Sequence, residues 1–250
     1  YNCCAPGNYK NAFVNVCALK DCIRQGARCL DFQIYSLNDS PVIAVSSVED
    51  YNTKESYNSI PFATAMKVVN DYAFSGSNSP NPADPLILHF RILSKNTGIL
   101  DEMAETLYNT LESRMLDSEY SYEYGGKNLG TVPLKNFQGK VIIIVDNNYT
   151  KAVGSKLDEY VNIASGSIFM QASRYYDIKY TPDMTELIEF NKKQMTICLP
   201  DINTSPINPS SSLAMKYGCQ FVAMNMPNFD KFSMCLIRLG KPSATAFKSS

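Results

Sequence analysis

The stretch Ala18-Leu-Lys-Asp-Cys-Ile-Arg-Gln-Gly-Ala-Arg-Cys-Leu-Asp-Phe-Gln-Ile-Tyr35 changes its hydrophobic period part-way along. Over Val14 to Gln25, Val14, Val16, Cys17, Ala18, Leu19, Cys22 and Ile23 recur at helical spacing, with Lys20, Asp21, Arg24 and Gln25 between them. That is the pattern of a short amphipathic helix, and Gly26 is suited to its C-terminal cap. From Cys29 to Tyr35 the period falls to two: Leu30, Phe32 and Ile34 alternate with Asp31 and Gln33, as on a strand with two unlike faces.

Working outward, the same alternation of helix and strand continues. Pro41 to Val45 reads as a strand, Pro61 to Phe74 as a helix and Leu86 to Leu93 as a strand. Ile99 to Met115 is a helix on its apolar positions Leu100, Met103, Ala104, Leu107, Tyr108 and Leu111. Lys140 to Val145 is a strand, followed by a helix near Ser155 to Ile163 and strands near Phe169, at Thr196 to Leu199 and at Phe221 to Met224. Ser75 to Pro85 and Thr204 to Ser212 are Ser/Pro-rich loops, and Ser118 to Asn136 is Tyr/Gly-rich and irregular. Strands separated by helices imply βαβ units and a mostly parallel sheet. Seven or eight such units in 250 residues favour an α/β protein with a single (β/α)8 TIM-type barrel, one domain over residues 1–250.

Hydrophobic residues make up 45% of the chain and charged residues 19%, a globular balance. The net charge of −1 argues against a non-specific hold on nucleic acid or anionic lipid. No apolar run approaches the roughly 18 residues a spanning helix requires, and no signal peptide is visible. The chain opens on Tyr1, which reads as part of a longer product. Eight cysteines and one histidine form no zinc spacing. Reduced, buried thiols are favoured over a disulfide framework, with Cys29, Cys198 and Cys219 as core residues and vicinal Cys3-Cys4 as an exposed terminal pair. Sequons at Asn38, Asn148 and Asn203 bear on the protein only if it is secreted.

Four segments resemble, in order, the catalytic domain of the phosphatidylinositol-specific phospholipase C family: Ala18 to Tyr35 with its helix-Gly-x-Arg-strand pattern, Pro61 to Phe74, Pro85-Leu-Ile-Leu-His-Phe90, and Met215-Lys-Tyr-Gly-Cys-Gln-Phe-Val-Ala-Met-Asn225. Weaker matches are Gln138-Gly-Lys-Val-Ile-Ile and Cys198-Leu-Pro. The resemblance implies a PLC-like phosphodiesterase barrel. It also implies a mechanism: two histidines for acid/base and oxyanion work, and a calcium ion held by an asparagine and several carboxylates. Imidazole suits proton transfer near neutral pH, calcium wants six or more oxygens, and phosphate wants Lys or Arg.

Position by position, that chemistry is depleted. Gly7 stands where the first histidine would be, with Asn8 as the retained asparagine. The Glu-x-Asp pair on the first strand reads Asp31-Phe-Gln33, and Ser47 lies near the second histidine's place. Arg91 replaces a calcium-binding glutamate, a charge reversal that would put a tethered cation in the metal's place and pair with Asp31. The phosphate-binding lysines match Ile144 and Asp146, and a Ser-Arg pair matches Thr196 and Ile197. The single histidine, His89, reads as a hydrogen-bonded barrel residue, and one histidine cannot run a two-histidine mechanism.

The expected function is therefore a non-catalytic member of the family: a structural or binding module, with no cofactor and with the family calcium lost. Its partners would be other proteins of an assembly, and the Asn- and Tyr-rich composition suggests a virion or capsid-associated component. Two alternatives stand beside it. One is a metal-dependent phosphodiesterase with non-standard ligands, recruiting Glu49, Asp50 or Asp146. The other is an inositol-phosphate or lipid-headgroup module using Lys140 and Lys151. Separately, Tyr120, Tyr122 and Tyr124 with Gly125-Gly126 read either as a binding loop or as an ordinary surface loop between barrel halves.

Overall fold

Asn15 starts the first helix, α1 (Val16–Arg24), by accepting a hydrogen bond from Ala18 N at 2.9 Å. Leu19, Cys22 and Ile23 form its buried stripe. The chain then turns through Gly26 at φ +91°, where a Cβ would come within 3.2 Å of Pro80. Two residues on, Arg28 is buried and donates to three main-chain carbonyls, those of Ala73 (2.7 Å), Asp84 and Pro85 (3.3 Å). Burial lowers its guanidinium to about 10, so it stays cationic at neutral pH. This computed structural model describes residues 2–6, 12–48, 50–51, 54–121, 128–201 and 208–224.

The remaining elements follow in order: β1 (Cys29–Leu37), β2 (Ser40–Ile43), β3 (Ile60–Pro61), α2 (Phe62–Ala73), β4 (Leu86–Ile92), α3 (Gly98–Leu111), β5 (Val141–Asp146), β6 (Ile163–Ser165), β7 (Met170–Arg174), α4 (Tyr175–Lys179), α5 (Met184–Lys193), β8 (Met195–Leu199), α6 (Ser211–Lys216) and β9 (Phe221–Val222). One sheet has the order β3-β2-β1-β4-β5-β6 and the other β7-β8-β9. From β1 through β4 and β5 to β6 every pairing is parallel, as it is in the smaller sheet.

The parallel strands β1, β4 and β5 send alternate residues to two different faces. Leu30, Phe32, Leu88, Phe90, Ile143 and Val145 pack outward against Leu19, Phe62, Met66, Ile99 and Met103 of the three helices. The opposite residues, Ile87, Ile142, Ile144 and Ile163, join Met170, Met195, Ile197 and Phe221 from the second sheet in one inner cluster. Helices therefore lie outside, and the two sheets share an interior.

The sequence reading needs correction in several places. β2 pairs antiparallel with β1 through a two-residue turn, with Asn38 at φ 51° and Asp39 at φ 61°, so the first two strands are a hairpin and not a βαβ unit. The expected (β/α)8 ring is not overturned: among the described residues the strands are seen as two ladders, with none joining β6 to β7. Only four residues separate those strands, and Gly166 N and Ser167 N both donate to Met170 O. A crossover between parallel neighbours needs about a dozen residues. The helix expected near Ser155 to Ile163 is a 3-10 turn, Lys156–Tyr160. Three helices, α4, α5 and α6, went unread.

The N-terminal segment is not an exposed tail. Asn2 forms a parallel bridge to Asp31 and donates through Nδ2 to Ala44 O at 2.8 Å. Cys4 is fully buried and Cys3 half-buried, against the expected exposed pair, because this segment covers the part of β1 that the shorter β2 leaves unpaired. Cys198 and Cys219 are core residues as read, and Cys29 is half-buried. Among the described residues no two cysteines are joined.

Replacing Arg28 with Met keeps its apolar stem and strands three carbonyls. The expected loss is about 3 kcal/mol or more of unfolding free energy, read by urea denaturation.

Candidate functional site

Strand register places the polar residues of β1 and β4 side by side. Asp31 lies opposite His89, and Gln33 opposite Arg91. His89 is in turn opposite Ile144 on β5, and Asp146 is opposite Ser165 on β6. By the alternation that sends Ile87, Ile144 and Ile163 inward, Asp31, Gln33, His89, Arg91, Asp146 and Ser165 all take the inner face. Arg91, Asp146 and Ser165 stand at or next to the C-terminal ends of their strands, the end at which parallel α/β folds bind ligands.

The centre of the site is the Asp31 carboxylate, 5% exposed. Arg91 Nη2 donates to its Oδ1 at 2.6 Å, and Arg91 Nε lies 3.1 Å from both oxygens. His89 Nδ1 meets Oδ2 at 2.6 Å. Burial pushes the Asp31 carboxyl up. The Arg91 charge and the hydrogen bonds from His89 and Arg91 outweigh that push and hold it at about 2. With Nδ1–H donating to the carboxylate, His89 Nε2 is left to accept from the Ser165 hydroxyl at 3.2 Å.

Asp31, His89 and Ser165 thus stand in the order of a hydrolytic triad. The resemblance stops at the hydrogen bonds. Ser165 and His89 are fully buried, and Asp31 is shared with Arg91. The main-chain amides of Gly166 and Ser167 beside the serine donate to Met170 O, so they cannot stabilise an oxyanion.

Gln33 carries the loop after β2. Its Nε2 donates to Ser46 O at 3.0 Å, and its Oε1 accepts from Ser46 N at 3.3 Å. Ser47 is therefore brought alongside β1, where its N (2.6 Å) and Oγ (2.7 Å) both donate to Glu55 Oε2. The site so assembled includes Asp31, Gln33, Arg91 and, through Ser46, Ser47. Gly7 and Asn8 lie outside the described residues, as do Glu49, Tyr122 and Tyr124. Ile144 is inner core. Asp146 is buried, with Oδ1 accepting from Asn148 N at 2.9 Å. Ile197 is in the inner cluster, and Thr196 instead bonds Asn191 behind β8.

Of the two candidate cations, one is poorly placed. Lys140 precedes β5, at the end opposite Asp146, and donates to Met115 O. Lys151 is exposed. Tyr120 packs edge-on against Phe137, so it serves the core. Ser165, Glu55 and Asn2 were missed as site residues. The Ser-Gly step at 165–166 closing a short apolar run was the one available signal.

Among the described residues of this set, oxygens that a calcium ion could use are engaged in hydrogen bonds. Both Asp31 oxygens accept from cationic or ring donors, the Gln33 amide is bound to Ser46, and Asp146 accepts from its own loop. Among the described residues no three His, Cys, Asp or Glu side chains group as metal ligands.

The family model for the phosphatidylinositol-specific phospholipase C X domain matches residues 10–147, more than half of the chain. The chain belongs to that family. No curated protein matches it. Among solved structures, L. pealei PLC21 superposes with a TM-score of 0.74 at 16% identity over 95% of this chain. S. officinalis PLC21 gives 0.70 at 17% over the same share. The chain spans 34% of the length of each, about a third. A calcium-dependent phosphoinositol-specific phospholipase C from Pseudomonas sp. gives 0.51 at 12%, covering 94% of this chain and 88% of that one. At these identities the likeness is one of fold, and the phospholipase C fold accounts for the shared interior of the two ladders.

The folded-state Asp31 value of about 2 lies below the unfolded value of roughly 3.9. Its stabilisation is therefore complete above about pH 4 and is lost as pH falls through about 2. Asp31→Asn removes the carboxylate charge that faces the buried Arg91, with an expected loss of about 3–5 kcal/mol at pH 7. The variant's urea midpoint should also depend less on pH between about 4 and 2 than the parent's.

Proposed function

We propose that this chain is a phospholipase C-like domain that does not run the family's calcium-dependent, two-histidine hydrolysis and acts as a structural or binding module. The single observation that carries the reading is the Asp31 carboxylate, neutralised inside the chain by the Arg91 guanidinium and hydrogen-bonded by His89. An anionic pocket that would attract a dication is replaced by an ion pair with no charge to spare. Arg91 is tethered and always ionised, and its planar fork matches a carboxylate, so it does permanently what a dissociable metal would do.

A second line of support is the sorting of the motif residues. Those that carry the family resemblance hold the fold. Arg28 binds three carbonyls. Gly218 adopts φ +80° against Asn191. Gln220 accepts from Thr196 N and donates to the carbonyls of Asn191 and Gln194. Of the positions that the resemblance assigns to chemistry, Asn8 and Asp31 keep the expected type of group, whereas Gly7, Gln33, Ser47, Arg91, Ile144, Asp146, Thr196 and Ile197 do not. One domain over residues 1–250, closing as a (β/α)8 barrel, is part of the same proposal. So is a role among the proteins of a large assembly such as a virion, which rests on the Asn- and Tyr-rich composition.

The test is a phosphodiesterase assay on phosphatidylinositol vesicles and a soluble aryl phosphate at millimolar calcium, with calorimetric titration of calcium and of inositol phosphate. The expected outcome is no turnover and no saturable calcium binding. Turnover that Asp31→Ala abolishes would reject the reading in favour of a phosphodiesterase with non-standard residues. Saturable inositol-phosphate binding would move it to a headgroup-binding module.

A further inference from the structure

We propose that Cys3 and Cys22 form a disulfide under oxidising conditions, stapling the N-terminal segment to α1 beside the buried Asp31. Main-chain geometry holds Cys3 in place: its N donates to Asp31 O at 2.9 Å, next to the bridge between Asn2 and Asp31. Its sulfur accepts from Asp31 N at 3.3 Å. Cys22 reaches the same point from the buried stripe of α1, its Sγ 3.9 Å from Cys3 O. Two separate elements, the N-terminal segment and α1, thus bring the Cys22 sulfur against the main chain of Cys3.

The competing partners are less well placed. Cys4 is adjacent to Cys3, and neighbouring Cα atoms about 3.8 Å apart are closer than the roughly 4.4–6.8 Å a disulfide spans. Cys4 is also fully buried, its amide bound to Asn2 Oδ1 at 3.0 Å. Cys17 is exposed, five positions from Cys22 on the same helix, and cannot face it. Cys29 packs partly against the inner cluster, on the other side of β1 from α1.

The reaction balances with a small-molecule disulfide such as oxidised glutathione as the oxidant. Cys3, the half-buried and more accessible thiol, loses its proton to solvent, and its sulfur attacks one glutathione sulfur, releasing a glutathione thiolate. Cys22, deprotonated in turn, attacks the Cys3 sulfur of the mixed disulfide and releases the second glutathione. Two electrons pass from the two cysteines to the glutathione disulfide, and two protons pass to the released thiolates. Contact with Cys22 and burial push the Cys3 thiol up, so exchange is slow in both directions. That suits a lasting cross-link better than a catalytic redox pair.

The bond would close a loop from residue 3 to residue 22, which contains Gly7 and Asn8. Oxidation would therefore fix the edge of β1 at Asp31.

The experiment uses the full chain, incubated with excess oxidised over reduced glutathione, alkylated, digested and mapped by mass spectrometry without reduction. The expected result is loss of two free thiols and one linked peptide pair joining Cys3 to Cys22. A rise in Tm of roughly 5–10 °C should accompany it, reversed by dithiothreitol. Cys22→Ser should remove the linked pair and the shift, and Cys17→Ser should leave both unchanged. A linked pair that maps elsewhere would overturn the proposal. So would retention of all thiols after prolonged oxidation, or an undiminished Tm shift in Cys22→Ser. Mapping the unaltered protein decides the matter even if a variant fails to fold.

Discussion

A carboxylate removed from water must be neutralised, and the means of doing so decides what the rest of a site can become. Asp31 is held on an inward-facing strand position with almost no access to solvent. A lone charge there would be prohibitively unfavourable. Two solutions exist in principle: a metal ion shared with further oxygens, or a cationic side chain. Arg91 is the second solution, two residues' length from the direct cross-strand partner and on the same face. Desolvation of the pair is offset by the bidentate fork and by the third donor, His89. On the proposed reading, the neighbouring groups then have no metal to coordinate, and an amide at Gln33 and a hydroxyl at Ser47 become acceptable where the family pattern has carboxylate and imidazole.

This separates the two kinds of residue in the family pattern. Gly26, Arg28, Gly218 and Gln220 answer to the backbone: they fill positive-φ positions or satisfy buried amides and carbonyls at the ends of elements. Their work is the same whether or not the interior performs a reaction. Asp31, Gln33, Ser47 and Arg91 answer to one another, through direct bonds and through the Ser46 loop. A chain can keep the first set intact while the second is rewritten, so membership of the fold family says little about chemistry.

Much of this was legible from one strand's alternation. Leu30, Phe32 and Ile34 against Asp31 and Gln33 set the two faces of β1, and the parallel partner β4 repeats the scheme with Leu88, Phe90 and Ile92 against His89 and Arg91. The pairing of Arg91 with Asp31 follows from charge and parity. Other features were written in signals of a different kind. The hairpin depends on Asn38-Asp39, residues that tolerate positive φ. Helix α5 has a weak apolar stripe, with Met184 41% exposed, so periodicity is faint. Its marks are at its ends: Asp183 caps Glu186 N, and Lys192-Lys193 close the last turn. The burial of Asn2 and Cys4 could not be read locally, because it depends on β2 being shorter than β1.

An active site keeps groups in reserve, aimed at a substrate that has yet to arrive. Here the reserve is spent internally. His89 uses both ring nitrogens, on Asp31 and on Ser165. Gln33 uses its amide at both ends on Ser46, and Ser47 gives both its donors to Glu55. A network satisfied in this way rigidifies the interior and makes any single loss costly, since each deletion leaves a buried partner unmatched. That is the basis in this interior for the proposed structural or binding role. The loops and edges around it, among them the N-terminal segment bridged to Asp31, become the parts through which the environment can act on the domain.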